Sequence, residues 1–178
     1  MKIALVGSAG AGKDYLADFL VSTYGFTKIA WADSLKNYCN TIYPNLGFYN
    51  NHENKDKIVP ETWNIKHETP RDIWQRISRE KSKTDDRFFH KLTLVNINNI
   101  ILNNDNIIVT DTRNDWEYED LVQDGFIVIY VTRPNIPIFQ GYDERIKKFV
   151  DKIDLKYINT GPGEEFLHFL ENNGILSK

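Results

Sequence analysis

A lone cysteine, Cys39, closes no disulfide within the chain, and no CxxC or Cys/His spacing of the kind that holds zinc accompanies it. It is read as a buried, inert thiol, the usual state of a free cysteine. The four histidines, His52, His67, His90 and His168, share no ligand spacing, and none stands in a Ser/His/Asp arrangement. They are read as ordinary structural or surface residues. Long hydrophobic runs are also missing. The opening apolar stretch Ile3 to Val6 is far too short for a membrane span or the core of a signal peptide. Nor does one sign of charge dominate: 25 acids against 22 bases leave a net charge of -3. That balance gives no general drive toward nucleic acid or anionic membranes, so any bound anion must be held by a local cluster of donors. A cytoplasmic protein with no nucleic-acid and no membrane partner is the expectation.

What is there is globular. The chain has 178 residues, 41% hydrophobic and 13% aromatic, enough for one domain with a sizeable core. Ile3 to Val6 has the continuous apolar character of a strand covered on both faces. Leu16, Phe19, Leu20 and Tyr24 then recur at helical spacing, with Gly25 where a C-terminal cap falls. Thr27 to Trp31 reads as a second strand, and Asp33 as the cap of a helix carrying Leu35, Tyr38, Cys39 and Ile42. From Pro44 to Glu68 the periodicity is lost, which suggests a surface insertion. Thr69-Pro70 is a strong helix start, followed by Ile73, Trp74 and Ile77 on one face. Asp85 to Leu102, with Phe88, Phe89, Leu92, Val95 and Ile100, predicts a long and largely buried helix. Strands at Asn106 to Asp111, Phe126 to Thr132 and Leu155 to Ile158 follow, with helices at Asp115 to Gln123 and Gly163 to Leu170.

Strand–helix alternation of this kind implies an α/β fold: a five-stranded, mainly parallel sheet with helices on both faces. Ligands of such sheets sit beyond the carboxyl ends of the strands. Gly7, Asp111, Arg133 and Asn159 all stand at or just past such ends.

The sharpest pattern is Gly7-x4-Gly12-Lys13, directly after the first strand and opening the first helix. Glycines there let the backbone wrap a phosphate with successive N–H groups pointing inward, and the helix adds its positive end. The loop Gly7, Ser8, Ala9, Gly10, Ala11, Gly12 and Lys13 is therefore the expected polyphosphate site, with Lys13 a mobile charge on the outer phosphates. A Ser or Thr that would reach Mg2+ normally follows the lysine, but Asp14 stands here. A carboxylate is also a hard oxygen donor for Mg2+, and an acidic residue equally suits a helix's first turn. Asp111, at the end of an apolar strand, is where such folds hold the metal's water shell. Arg113, with Glu117 four residues on, suggests a guanidinium that clamps a phosphate and a carboxylate that orients it; the plainer reading is a surface pair of small worth. Arg71, Gln75 and Arg79 share one face of a helix, opposite Ile73, Trp74 and Ile77. They make either a solvated face or a receptor for a nucleotide phosphate and base edge.

These residues, taken in order, carry a resemblance. Gly10-Ala11-Gly12-Lys13-Asp14, Ala17-Asp18-Phe19, Ala32-Asp33-Ser34-Leu35-Lys36, Pro70-Arg71 with Gln75, Asp111-Thr112-Arg113 with Glu117, Val131-Thr132-Arg133-Pro134 and Ile158-Asn159 before Gly161 form the series. With them the chain resembles the deoxynucleoside monophosphate kinases of bacterial viruses, within the P-loop nucleoside monophosphate kinases. The resemblance covers most of the chain and is weakest between Pro44 and Glu68. It implies a three-layer P-loop kinase fold over residues 1–178, with a helical acceptor-binding insertion at about 33–104 and a lid at about 134–152. It further implies ATP as donor, Mg2+ as cofactor held by Asp14 and Asp111, and a deoxynucleoside monophosphate as acceptor. Arg71, Gln75, Arg113 and Glu117 are then the acceptor site, with Lys36 beside them. Arg79 joins them from its place on the same helix face, at a position where Ser78-Arg79 departs from the family's usual Gly-Thr. Lys13, Asp111, Arg113 and Arg133 become the catalytic set. Arg145, Lys147 and Lys148 fall in the lid segment, where a solvated helical face is the plainer reading. Asn159 and the turn through Gly163 border the donor base by position. Trp31, Phe88 and Phe89 are read as core aromatics before base-stacking ones. A virus-encoded protein of this kind works in the host cytoplasm, and the resemblance leaves room for a homodimer. Two alternatives stay open: a P-loop kinase for another small phosphorylated acceptor, of the phosphomevalonate or dephospho-coenzyme A type, and a non-catalytic nucleotide-binding regulator.

Overall fold

Strands β1 (Lys2–Val6), β2 (Thr27–Ala30), β3 (Ile107–Thr112), β4 (Ile127–Thr132) and β5 (Leu155–Ile158) make one sheet in the order β2-β3-β1-β4-β5. Every pairing in it is parallel. The computed structural model describes residues 1–49, 54–60, 67–103, 106–136 and 141–176. His52 lies outside these residues, as do 137–140 of the expected lid. The chain makes two compact units, one of Met1–Ala30 with Ile97–Lys178 and one of Trp31–Asn96.

The first unit holds the sheet. Ile3, Leu5, Ile108, Ile129 and Val131 share a core with Leu16, Ala17 and Leu20 of α1 (Lys13–Tyr24) and with Phe166 and Leu170 of α6 (Gly163–Asn172). The alternate strand residues Ala4, Val6, Ile107, Val109 and Val128 are buried as well, so the sheet is covered on both faces. That is why its strands read as apolar runs instead of alternating. Each Val, Leu, Ile or Phe among them contributes about 1.5–3 kcal/mol on burial. Gly25 ends α1 in the left-handed conformation, φ 66°, and its amide returns to the Val21 carbonyl at 3.1 Å. Because all strands run the same way, their carboxyl ends share one edge of the sheet. On that edge β1 and β3 fall out of step. Ala4 faces Val109 but Val6 faces Thr112, so two residues of β1 span three of β3. Asp111 lies in this bulge with φ 58°.

The second unit is helical: α2 (Trp31–Ile42), a 3-10 turn at Pro44–Tyr49, α3 (Pro70–Ser82) and the first part of α4 (Phe88–Leu102). Cys39, Leu46, Val59, Ile73, Trp74 and Ile77 form its core. Thr69 caps α3: its hydroxyl accepts from the Asp72 amide at 3.2 Å while the Asp72 carboxylate accepts from the Thr69 amide at 2.9 Å. Such a capping box stabilises by about 1 kcal/mol. It also holds the Asp72 carboxyl below its usual pKa, mainly through the hydrogen bond from the Thr69 hydroxyl.

Four local expectations need correction. Trp31 opens α2 and does not end β2; its ring is buried and stacked on His90, centroids 4.8 Å apart. Asp33 therefore lies inside the first turn of α2, where its charge complements the helix dipole, and is not the cap. The stretch after Pro44 is not only surface, since Leu46 and Val59 are fully buried. Finally, α4 begins at Phe88, and it buries a single stripe of His90, Thr93 and Ile97 while Leu92 and Val95 are 39% and 57% exposed. Within that stripe the Thr93 hydroxyl is 2.7 Å from Ser34 Oγ and 3.1 Å from the Phe89 carbonyl. The buried contact is thus partly polar, which an apolar count does not reveal.

Candidate active site

The turn between β1 and α1 is built mainly from backbone. Gly10 and Gly12 take φ 82° and 88°, a region costly to residues with a Cβ. At Gly7 the constraint is space: a Cβ would come 2.2 Å from the Val131 carbonyl oxygen. A Cβ on Gly12 would meet Asn159 Nδ2 at the same 2.2 Å. The Ala11 amide closes the turn on the Ser8 carbonyl at 3.2 Å. Lys13 is buried, and its Nζ donates to the carbonyls of Gly7 at 2.7 Å and Ser8 at 3.0 Å. An ammonium is thereby stationed against the carbonyls of a glycine-rich turn that opens a helix, a place where backbone N–H groups and the helix's positive end suit an anion.

Asp14 follows on the first turn of α1. It is largely exposed and ion-paired with Lys28 at 2.9 Å, and Asp18 shares the same Nζ at 3.0 Å. Burial pulls the Lys28 pKa down, but the two carboxylates outweigh it and hold the value above the ordinary 10.5.

Asp111 stands one strand over, in the bulge of β3. An Asp tolerates φ near 58° better than most residues, yet strain of this kind in a sheet edge goes with re-aimed side chains at functional sites. Its carboxylate is 19% exposed and lies 3.7 Å from Arg113 Nη1. Asp14 adjoins the loop in sequence, and Asp111 stands at the end of the strand paired with β1. Both are hard oxygen donors of the kind Mg2+ takes singly or in pairs, with water and phosphate completing the shell. The donor chemistry fits. Among the described residues no group of three or more His, Cys, Asp or Glu gathers as a closed metal cage.

Glu117 lies on the first turn of α5 (Asp115–Gln123). Only 6% exposed, it accepts from the backbone amides of Arg113 at 2.7 Å and Asn114 at 3.0 Å, and from Asn114 Nδ2 at 2.7 Å. It holds Arg113 through the main-chain amide. Burial raises its carboxyl pKa, against the opposing pull of those amides. Arg145 joins the same corner, donating from Nη1 to Asn114 Oδ1 at 3.2 Å. The Arg145 segment is anchored by buried Ile146 and Phe149, the latter stacked on Tyr118 at 5.0 Å. Lys148 lies 3.8 Å from Asp115, and Lys147 3.5 Å from Glu144. Arg133 stands exposed just past β4.

The remaining predicted residues belong to the second unit. Arg71 is exposed and holds Asp56 with two nitrogens, at 2.6 and 3.3 Å. Gln75 is half-buried, and its carbonyl accepts from Arg79 Nε at 3.1 Å. Lys36 places its Nζ 5.6 Å from the Trp74 ring centroid. Phe88 and Phe89 pack edge-on against Tyr38, at 5.7 and 5.6 Å, as core aromatics do.

Two features escaped the sequence. One is the paired contact of Arg76 with Glu68, at 2.9 and 2.8 Å, which pulls the Glu68 carboxyl below its ordinary pKa. The other is the contact that Asn159, already marked at its strand end, makes with the loop: buried, it donates from Nδ2 to the Ala11 carbonyl at 2.9 Å. Both join residues without a shared local pattern.

Among the described residues no helix is long and apolar enough to cross a membrane. No family model matches the chain, and no curated protein matches it. Solved structures do. A shikimate kinase from Aquifex aeolicus vf5 is 15% identical over 99% of this chain and 100% of its own, with a TM-score of 0.46. A gluconokinase from Sinorhizobium meliloti 1021 is 11% identical over 94% and 87%, with a TM-score of 0.43. A dephospho-CoA kinase from Campylobacter jejuni, 14% identical over 96% of this chain and 94% of its own, reaches 0.53. That likeness, with the all-parallel sheet and the loop after β1, shows a three-layer P-loop kinase fold.

Proposed function

We propose that this protein is an ATP-dependent kinase that moves the γ-phosphoryl group of ATP to a deoxynucleoside 5′-monophosphate, giving ADP and the deoxynucleoside diphosphate. The observation that carries the proposal is the glycine-walled turn at the carboxyl end of β1, with the Lys13 ammonium already seated over it. Asp111 and Arg113, at the end of the adjacent strand, support it.

Phosphoryl transfer asks little covalent chemistry of a protein; it asks for alignment of two anions and neutralisation of charge. The amides from Gly7 to Lys13 hold the donor phosphates, and Lys13 exchanges its carbonyl partners for phosphate oxygens. Asp111 would hold Mg2+, with Asp14 a second oxygen donor whose charge is shared with Lys28; the ion, when bound, would neutralise the charge that develops on the phosphate oxygens. Arg113, fixed by Glu117 through its backbone, and Arg133 answer the acceptor phosphate and the transferring group. Arg71, Gln75 and Arg79 on α3, with Lys36, recognise the acceptor nucleotide. Arg145, Lys147 and Lys148 belong to a segment that excludes water, a competing acceptor.

The test is an ADP-release assay over a panel of nucleoside and deoxynucleoside monophosphates, with phosphomevalonate and dephospho-coenzyme A alongside. Turnover with one or more deoxynucleotides is expected. Turnover confined to either of the last two compounds would replace the acceptor. ATP binding with no acceptor-dependent turnover would make the protein a regulator.

A further inference from the structure

We infer that Asn159 is a positioning residue for the nucleotide phosphates, acting through the Ala11–Gly12 peptide of the loop. The inference rests on the kinase reading above and deepens it.

The geometry runs through one peptide plane. Asn159 Nδ2 donates to the Ala11 carbonyl at 2.9 Å, and the Asn159 side chain is buried. In a trans peptide the carbonyl of one residue and the N–H of the next point in opposite directions, and no cis bond occurs among the described residues. Holding the Ala11 oxygen toward Asn159 therefore aims the Gly12 N–H away from it, out of the β5 side. Gly12 needs that hold, because without a Cβ and at φ 88° its backbone has more than one low-energy choice. Asn159 is itself fixed: its amide donates to the Thr132 carbonyl at 2.7 Å, which ties it to the end of β4. The 2.2 Å approach that a Gly12 Cβ would make to Nδ2 shows how closely the carboxamide fills the space behind the loop. Asn159 Oδ1 is buried without a hydrogen-bond partner. A carboxamide kept there at that cost has a use for its N–H end that an apolar residue of similar size does not supply.

This assigns Asn159 a task distinct from bordering the donor base. It presets one loop amide, so that the phosphates meet a donor already aimed.

The decisive exchange is Asn159→Asp, nearly the same shape, which sets a carboxylate oxygen against the Ala11 oxygen in place of the N–H. Asn159→Ala removes the hold without the repulsion. ATP affinity is measured by calorimetry, with KM for ATP and for the acceptor determined separately. The expected result is a loss of ATP affinity of about tenfold in Asn159→Ala and more in Asn159→Asp, with the acceptor KM changed less than about twofold. A merely structural role moves both KM values or neither. Unchanged ATP affinity in a folded variant of either kind overturns the inference. Should both variants fail to fold, the wild-type protein decides. In its amide NMR spectrum titrated with ADP and Mg2+, the Gly12 N–H resonance is expected to shift strongly together with those of Gly7 and Gly10. A Gly12 signal that stays in place while the others move overturns the role of Asn159 and leaves the kinase reading standing. Loop signals that all stay in place overturn both.

Discussion

The loop of the first unit and the α3 face of the second are built on opposite plans. Around Gly7 to Lys13 the donors are main-chain groups, walled by the Val131 carbonyl and Asn159, and the one charged side chain is buried over them. On α3 the donors are long exposed side chains, and Arg71 is paired with Asp56. A backbone site cannot retune itself by side-chain exchange but keeps its geometry; a side-chain site adapts and is screened by solvent. A common co-substrate suits the first plan, and a variable acceptor suits the second.

Several exchanges sharpen or break this contrast. The largest effect is expected from Lys13→Ala, which removes the only mobile charge from the loop: turnover should fall about 10²- to 10³-fold with the fold retained. Steady-state rates with a circular dichroism check decide it, and a folded variant at full rate breaks the assignment. Gly7→Ala comes next. Its Cβ cannot share space with a backbone oxygen 2.2 Å away, so a loss of roughly 3 kcal/mol is expected in urea unfolding. An unchanged midpoint would mean the wall yields. Arg71→Ala should raise the acceptor KM about tenfold, one charge-assisted hydrogen bond's worth, and leave the ATP KM alone. Equal changes in both constants would erase the distinction between the two sites.

The smallest effect concerns Glu68→Gln. Because the hydrogen bond from Arg76 lowers the folded-state pKa of Glu68, its stabilisation is present above the ordinary carboxyl pKa of 4.5 and is lost as pH falls through the lowered value. The variant should be weaker than wild type by about 1 kcal/mol at pH 7, given the partial exposure of the pair, and equal to it at low pH. Paired melting curves at the two pH values show whether the gap closes.

Local chemistry made much of this legible. Gly7-x4-Gly12-Lys13 between an apolar run and a helical period announced its own context, and Thr69-Pro70 opened α3 as expected. Strand ends followed from apolar runs broken by Asp111, Arg133 and Asn159. Other features stayed hidden because they depend on register or on distant partners. The bulge that turns Asp111 into the left-handed region exists only when β1 and β3 are paired. That Glu117 gathers the Arg113 and Asn114 amides shows only once the turn brings them to it. On α4, where Leu92, Leu94, Val95, Ile97, Ile100 and Ile101 are nearly continuous, composition could not reveal that His90, Thr93 and Ile97 are the buried stripe.

The backbone at Asp111 also limits what can ever stand there. Asparagine and glycine share its tolerance of φ 58°, whereas a β-branched residue would disturb the turn and the chemistry together. On the proposed reading of Asp111 as the Mg2+ donor, Asp111→Asn is therefore the exchange expected to silence turnover, since it deletes one negative charge while keeping shape and chain path. The silenced form should hold substrates in place long enough to be captured with them.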